Sequence, residues 1–259
     1  MTEYAEGSIR FERLGAVAVV TIDRPHVRNA LDNASAVGLG QAMRDFDAEP
    51  DLSVAVLTGA HGAFCAGADL KAVADDANYV AWAGDPEGPT APTLSKPVIA
   101  AVEGHAVAGG LGIALWCDIR VVDETAVFGV FCRRWGVPMS DGTTVRLPRL
   151  IGTARALDML ITGRGVPAAE AIDWGLATRM APKGETLETA VELAHEIARF
   201  PQIAMRSDRM SAYRQHGLTL EEAVRVEKEL SQEAKAKEAQ AGAARFAAGA
   251  GRHGAAAED

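Results

Sequence analysis

Two short segments rich in small residues have the composition needed to hold an anionic atom through the backbone. They are GAFCAGADLK at 62–71 and GHAVAGGLG at 104–112. Each follows an apolar run typical of a buried strand and precedes a predicted helix, which exposes N–H groups where the helix dipole favours negative charge. Two such N–H groups directed at one point would stabilise an oxyanion. Strand-to-helix turns also use glycine for purely structural reasons, so either segment taken alone leaves both interpretations open.

Gly112 lies inside the helix predicted to follow the second segment. Glycine in a helix interior costs roughly 1 kcal/mol of stability relative to alanine. Helix stability therefore does not explain the choice of glycine at this position, and the position bears on the chemistry of the site.

The elements that would position these segments are strands early in the chain and helices late. Apolar or alternating runs predict strands, and helical spacing dominates after about residue 141. The predicted strands are 8–13 and 16–22, joined at Gly15, then 52–58, 97–104, 119–123 and 126–129. The predicted helices run from Asn33 as N-cap to about Asp47, from near Asp141, from near Ala154, over about 185–200 and over about 219–240. This order indicates an α/β core with a helical C-terminal part.

Composition excludes several functional classes. The 259 residues are 48% hydrophobic, enough for a sizeable core, and the formal net charge of −9 argues against a general nucleic-acid binder. Three cysteines without CxxC spacing indicate reduced thiols and a cytoplasmic location. The N-terminal residues have no apolar signal-peptide core, and no run reaches the length of a membrane span, so we expect neither feature.

The pattern around the two segments closely resembles the enoyl-CoA hydratase/isomerase family, or crotonase superfamily. The resemblance rests on FCAGADL and KPVIAAVEGHAVAGGLGIALWCD and continues through RPHVRNALD, RLPRLIGTARALDMLITGR and AAEAIDWGLATR, over about residues 8–246. It implies a crotonase-like ββα spiral core at 1–190, a helical trimerisation region at 191–246 and a flexible tail at 247–259. It further implies an acyl-CoA thioester as substrate, no metal, no cofactor beyond that coenzyme A, and a homotrimer or hexamer.

The same resemblance assigns roles to individual residues. The backbone N–H groups of Ala68 and Gly109 would form an oxyanion hole for a thioester enolate. Ala66 and Ala68 would run along the CoA adenine through their carbonyls, and Gly110 belongs to the same substrate-binding set. Lys71 either faces a CoA phosphate or is a solvated surface lysine.

Two aromatic residues complete the candidate substrate-binding set, and the resemblance supports the first of them. Phe246 matches a C-terminal aromatic residue that packs near adenine in some members, although the lysine that often follows it is absent here. Trp135, which follows Arg133 and Arg134, either lines the acyl pocket or packs structurally.

By this resemblance, both glutamates that catalyse hydration in the family are missing. The first would lie at Gly112 and the second at Cys132. Asp141 is the best remaining acid, although the aspartate that some members use near this helix matches Ser140. One residue is about 100° around a helix, so Asp141 could equally be a capping acid that points elsewhere. A lone cysteine such as Cys132 is more often buried and inert than nucleophilic.

The sequence therefore predicts an acyl-CoA protein that stabilises a thioester enolate without being an efficient hydratase. Each missing acid–base group contributes about 10²–10⁴-fold to rate. Isomerisation, decarboxylation and thioester hydrolysis remain open as reactions. The alternative is a non-catalytic acyl-CoA-binding protein, and Asp141 discriminates between the two, because only an enzyme needs an acid in the pocket.

Overall fold

A seven-stranded sheet organises the N-terminal part of the chain in the computed structural model, which describes residues 1–75, 88–90 and 93–249. The strands are β1 Thr2–Tyr4, β2 Ile9–Leu14, β3 Val17–Ile22, β4 Val54–Gly59, β5 Val98–Val102, β6 His105–Val107, β7 Ile119–Val122, β8 Val127–Gly129, β9 Gly165–Pro167 and β10 Arg179–Met180. The large sheet has the order β1-β2-β3-β4-β5-β7-β10, antiparallel from β1 to β3 and parallel beyond. Strands β6, β8 and β9 form a second, small sheet.

Helices connect the strands and then dominate the C-terminal part. They are α1 Asn33–Ala48, α2 Leu70–Asp75, α3 Gly109–Trp116, α4 Thr143–Ile151, α5 Thr153–Thr162, α6 Ala168–Asp173, α7 Thr186–Ala198, α8 Gln202–Arg214, α9 Leu220–Leu230, α10 Gln232–Ala234 and α11 Gln240–Ala247. Short 3-10 helices cover Pro25–Val27 and Phe131–Trp135, and a π-helix covers Lys235–Ala239. The predicted α/β class is confirmed.

The core lies on both faces of the large sheet because successive side chains of a strand point to opposite sides. On β3, Ala18 belongs to the same buried cluster as Leu39 of α1. Its neighbours Val17 and Val19 belong to a second cluster with Leu193 of α7. The parallel strands are therefore covered on both faces, which explains their nearly continuous apolar sequences.

The chain divides into two compact units, Met1–Ala198 and a second that begins at Arg199. The boundary expected near residue 190 falls inside α7, because Ala190 and Leu193 of this helix are buried in the core beneath the sheet. In the second unit, the Glu238 carboxylate accepts hydrogen bonds from the N–H groups of Ile203 and Ala204 at the start of α8. Residues 250–259 of the expected flexible tail lie outside the described residues.

Several predicted boundaries move by a few residues. The N-cap of α1 is Asp32 rather than Asn33, because Asp32 forms a reciprocal capping box with Ser35. The helix expected from near Asp141 begins at Thr143, after Gly142 with φ +82°. The π-helix Lys235–Ala239 interrupts the helical stretch expected to run uniformly to residue 240. Among the described residues, no helix is long and apolar enough to cross a membrane.

Packing of α1 on the sheet gives a stability prediction. Leu39 is fully buried, whereas Val37 on the same helix is 43% exposed. Leu39→Ala should lower the free energy of unfolding by about 2–5 kcal/mol, because it leaves a cavity in the core. Val37→Ala is the matched control and should change that energy by no more than about 0.5 kcal/mol. Urea titration followed by circular dichroism measures both, and equal effects would contradict the assigned helix face.

Candidate active site

A cavity of about 470 Å³ opens in the N-terminal unit where the two small-residue segments meet residues 131–141. It brings together five of the residues predicted from sequence: Ala66, Ala68, Gly109, Trp135 and Asp141. Both small-residue segments thus contribute residues to one cavity.

The remaining predicted residues lie elsewhere. Lys71 is exposed on α2, outside the described cavity lining. Gly110 is buried, and a Cβ there would lie 2.9 Å from the Cβ of Cys65 and closer still to its carbonyl, so this glycine serves the packing of α3. Phe246 belongs to the second unit and is 65% exposed. The roles of Lys71, Gly110 and Phe246 in binding stay predictions.

The first segment holds Ala68 by pairing its neighbours with Leu31. The Leu31 N–H donates to the Gly67 carbonyl, and the Asp69 N–H donates to the Leu31 carbonyl, both at 2.8 Å. Because backbone polar groups alternate along an extended segment, the N–H of Ala68 points away from Leu31. The described part of the chain offers this N–H no hydrogen-bond acceptor.

The second segment enters α3 through an unusual backbone conformation. Ala108, the N-cap, has φ 51° and ψ −125°, and its N–H donates to the Gly129 carbonyl at 2.8 Å. A non-glycine residue in such a region costs on the order of 1–3 kcal/mol. Gly109 follows as the first helical residue, whose N–H has no partner within the helix. The described chain provides no acceptor for it either.

Gly67 joins the two segments directly. A Cβ at this position would lie 2.7 Å from the Gly109 nitrogen and 2.9 Å from the Ala108 Cβ, and φ is +94°. Both the space and the conformation therefore require glycine. This close approach joins the two segments next to Ala68 and Gly109, which both line the cavity.

The carboxylate of Asp141 occupies the space beside Gly112. A Cβ on Gly112 would lie 2.9 Å from Oδ1 and would collide with Cγ and Oδ2. Asp141 is only 5% exposed, although it lines the cavity. Glycine in the interior of α3 is thus explained by the acid that packs against it.

Asp141 does not point away from the site, contrary to the alternative drawn from helical spacing. It precedes α4, so the 100° rotation per helical residue does not apply to it. Its Oδ1 accepts the Thr143 N–H at 2.9 Å, and its carbonyl accepts from Arg146 Nη1 at 2.8 Å. The residue is therefore both a cap for the start of α4 and a wall of the cavity.

Burial sets the proton affinity of the two titratable groups near Gly112. Desolvation raises the pKa of the Asp141 carboxyl, against the opposing hydrogen bonds from Thr143 and the charge of Arg146. Desolvation, followed by the charge of Asp141, also raises the pKa of the Cys132 thiol. Cys132 is 6% exposed, with its Sγ 3.1 Å from Met139 Sδ, which confirms the expectation of a buried thiol.

Residues 131–135 form an aromatic side of the cavity, where the Arg134 side chain stacks on a ring. Trp135 lines the cavity and is 70% exposed. The Arg134 guanidinium lies 3.9 Å from the centre of the Phe131 ring, and Nη2 donates to the Gly163 carbonyl at 3.1 Å. Sequence reasoning missed several residues that line the cavity, among them the strained Ala108 and Arg28. Nothing in the residue type of Ala108 signals a left-handed backbone.

A family model and several known proteins match this chain in sequence. The family model described as Enoyl-CoA hydratase/isomerase matches residues 12–249. The chain is 40% identical over 203 residues to Enoyl-CoA hydratase EchA19 of Mycobacterium tuberculosis, covering 76% of each protein. It is 36% identical over 207 residues to Carnitinyl-CoA dehydratase of Salmonella typhi, covering 76% of this chain and 77% of that protein.

Solved structures extend the similarity to the fold. The crystal structure of an enoyl-CoA hydratase from Mycobacterium tuberculosis superposes with a TM-score of 0.88 at 34% identity, over 93% of this chain and 96% of that one. The predicted crotonase-like α/β fold is thereby confirmed. On the family match and these relatives, the chain belongs to the enoyl-CoA hydratase/isomerase family.

Proposed function

We propose that the protein is an enzyme that forms the enolate of an acyl-CoA thioester in the cavity, with Asp141 as its acid–base group. The observation that carries this proposal is the Asp141 carboxylate, which is buried against Gly112 in the cavity that the Ala68 and Gly109 amides line. Asp141 is also the residue that the sequence offers as the best remaining candidate for this acid–base group.

The two amides would stabilise the enolate oxygen. Preorganised donors in a site shielded from water are worth more than in bulk solvent, and one such donor typically contributes 10²–10³-fold to rate. The positive end of α3 adds to the favourable potential at Gly109. The strained backbone at Ala108 fits this assignment, because such strain persists where the surrounding structure needs a particular orientation.

Asp141 would exchange the proton at Cα. Its Oδ1 is engaged by Thr143, which leaves Oδ2 to take the proton. The C–H electron pair then forms the bond between Cα and the carbonyl carbon, and the carbonyl oxygen becomes the enolate oxygen. Return of the proton to Cα reverses the step, whereas delivery to Cγ of a 3-enoyl chain shifts the double bond. The raised pKa of Asp141 makes it a stronger base than an exposed aspartate.

A site with a single acid is not suited to efficient hydration of an enoyl-CoA. Addition of water to a 2-enoyl chain needs one group to activate water and another to deliver a proton, and we propose that both family glutamates are absent, at Gly112 and Cys132. Among the described lining residues, Asp141 is the only carboxylate. The second candidate function is non-catalytic acyl-CoA binding, favoured by the same lack of a second acid.

We also propose a homotrimer or hexamer, as the resemblance implied. Apolar side chains on the outer faces of α4 and α5 support this assembly, namely Val145, Leu150, Leu157 and Ile161, which are 40–69% exposed in the single chain. The cytoplasmic location remains a proposal supported by three buried cysteines, all unbridged.

Wild-type protein should bind butyryl-CoA in calorimetry but hydrate crotonyl-CoA at least about 10²-fold more slowly than a hydratase with both glutamates. Absorbance of the enoyl thioester follows hydration. Lack of binding to any acyl-CoA would overturn the proposed substrate class. Hydration at a normal rate would instead refute the assignment of Gly112 and Cys132 as missing acids.

Asp141→Asn should abolish exchange of the Cα hydrogens of butyryl-CoA in D₂O, measured by mass spectrometry, while butyryl-CoA affinity is retained. In the wild type, exchange should rise with pH as Asp141 ionises, at a pH above the ordinary aspartate range, since burial raises its pKa. Asp173→Asn, at an exposed site on α6, is the control and should leave exchange unchanged. Exchange that survives in Asp141→Asn would remove this residue from the mechanism.

Gly112→Ala should destabilise the protein by about 1–3 kcal/mol and reduce exchange, because the added methyl group displaces the Asp141 carboxylate. The matched control is Gly242→Ala on α11, where a Cβ meets nothing within 4 Å. This control should stabilise by up to about 1 kcal/mol through helix propensity. Thermal unfolding compares the two, and stabilisation by Gly112→Ala would contradict the placement of Asp141.

A further inference from the structure

We infer that Arg24 is a positioning residue, whose guanidinium holds Asp69 and through it the neighbouring Ala68 amide in the orientation that catalysis needs. The inference rests on the proposed function of that amide as an enolate donor. Arg24 lies outside the described cavity lining and was not singled out by either small-residue segment.

Arg24 lies at the centre of a buried polar cluster. Its Nη2 is 2.7 Å from Asp32 Oδ2 and 3.5 Å from Asp69 Oδ2, and Nη1 donates to the Ala30 carbonyl. The side chain of Arg24 is 10% exposed and that of Asp69 is 12% exposed. At this depth an ion pair is only weakly screened by solvent, so removal of Arg24 would leave the Asp69 carboxylate largely buried without this ion-pair partner.

The backbone of Arg24 is fixed as firmly as its side chain. Its N–H donates to Asn29 Oδ1 at 2.8 Å. The Asn29 amide in turn donates to the carbonyls of Ala60 and Ala63, at 2.9 and 2.6 Å. Through Asn29, the Arg24 backbone is therefore linked to residues 60–63, which begin the connection that contains Asp69. These hydrogen bonds and the ion pairs hold the Arg24 side chain in one position.

Asp69 transmits this restraint to the cavity. It follows Ala68 directly, and its own N–H is one of the two bonds to Leu31 that turn the Ala68 N–H away from Leu31. A shift of the Asp69 side chain would rotate the peptide units on either side of Ala68. Small misplacements of a catalytic donor have large effects on rate, about 10²-fold for 1 Å.

The structure allows the charge to be removed with little change in shape. Asp69→Asn keeps the Oδ1 that accepts the Lys71 N–H at 3.1 Å and replaces the Oδ2 that faces Arg24. Arg24→Met removes the guanidinium and keeps the apolar stem. Ser35→Ala is the matched control, because it weakens the capping box of α1 at the other end of the cluster and leaves the Arg24–Asp69 pair intact.

Two ligands separate the contact made by the thioester carbonyl oxygen from binding of the rest of the acyl-CoA molecule. Dissociation constants are measured for butyryl-CoA and for S-butyl-CoA, a thioether without a carbonyl oxygen, and Cα exchange of butyryl-CoA is followed in D₂O. Asp69→Asn and Arg24→Met should slow exchange by about tenfold to a hundredfold, while S-butyl-CoA affinity changes less than twofold. Ser35→Ala should lower the melting temperature and leave exchange unchanged. Asp69→Asn alone decides the matter if Arg24→Met does not fold.

Two results would overturn the inference while sparing the proposed function. Unchanged exchange in Asp69→Asn would show that the ion pair does not position Ala68. A parallel loss of S-butyl-CoA affinity would show that Arg24 and Asp69 support the whole cavity. Absence of exchange in the wild type is a different outcome, because it would overturn the proposed enolate chemistry and the inference with it.

Discussion

The near-contact of Gly67 with the Gly109 nitrogen is the constraint on which the site depends. Two chain segments from different strand-to-helix connections approach there so closely that a side chain at Gly67 would clash with the Gly109 nitrogen and the Ala108 Cβ. Everything around the contact serves to hold it: Leu31 pairs the first segment from one side, and the Gly129 carbonyl fixes Ala108 from the other. The large parallel sheet sets the spacing, since β4 and β5 are neighbours and each leads into one of the two segments. Among the described residues, no acceptor pairs with the N–H groups of Ala68 and Gly109, which line the same cavity. A less constrained loop would bond such groups internally.

Asp141 and α3 pack against each other at Gly112. α3 is short, apolar and buried, and its Leu111, Ile113 and Leu115 side chains belong to the core. The space at Gly112 receives a carboxylate from another part of the chain. One oxygen of that carboxylate caps α4, which lets a buried charge be partly compensated by a backbone N–H. Burial still raises the pKa of the Asp141 carboxyl despite this hydrogen bond. Perturbed pKa values of this kind cluster at functional sites.

Sequence reasoning reached the fold class and the two segments because both depend on local signals. Apolar runs of strand length predict buried strands, and clustered small residues indicate that two backbone segments approach closely. The contact between Gly112 and Asp141 was out of reach, since it joins residues 29 positions apart through the packing of α3 against the approach to α4. The choice of Asp32 over Asn33 as N-cap was also undetermined, because the two residue types cap helices about equally well. The strained backbone of Ala108 could not be predicted either, because its surroundings and not its residue type impose that conformation.

The exclusion between residues 112 and 141 has a consequence for how such sites change over time. A side chain at 112 and the carboxylate of Asp141 claim the same volume, so a glutamate cannot be added to α3 while Asp141 keeps its place. Because a side chain at 112 would displace the Asp141 carboxylate, the effect of a replacement at either position depends on the residue at the other. The two positions are thus linked by strong epistasis. A search for this chemistry in other sequences should therefore score the pair of residues together and not either position alone.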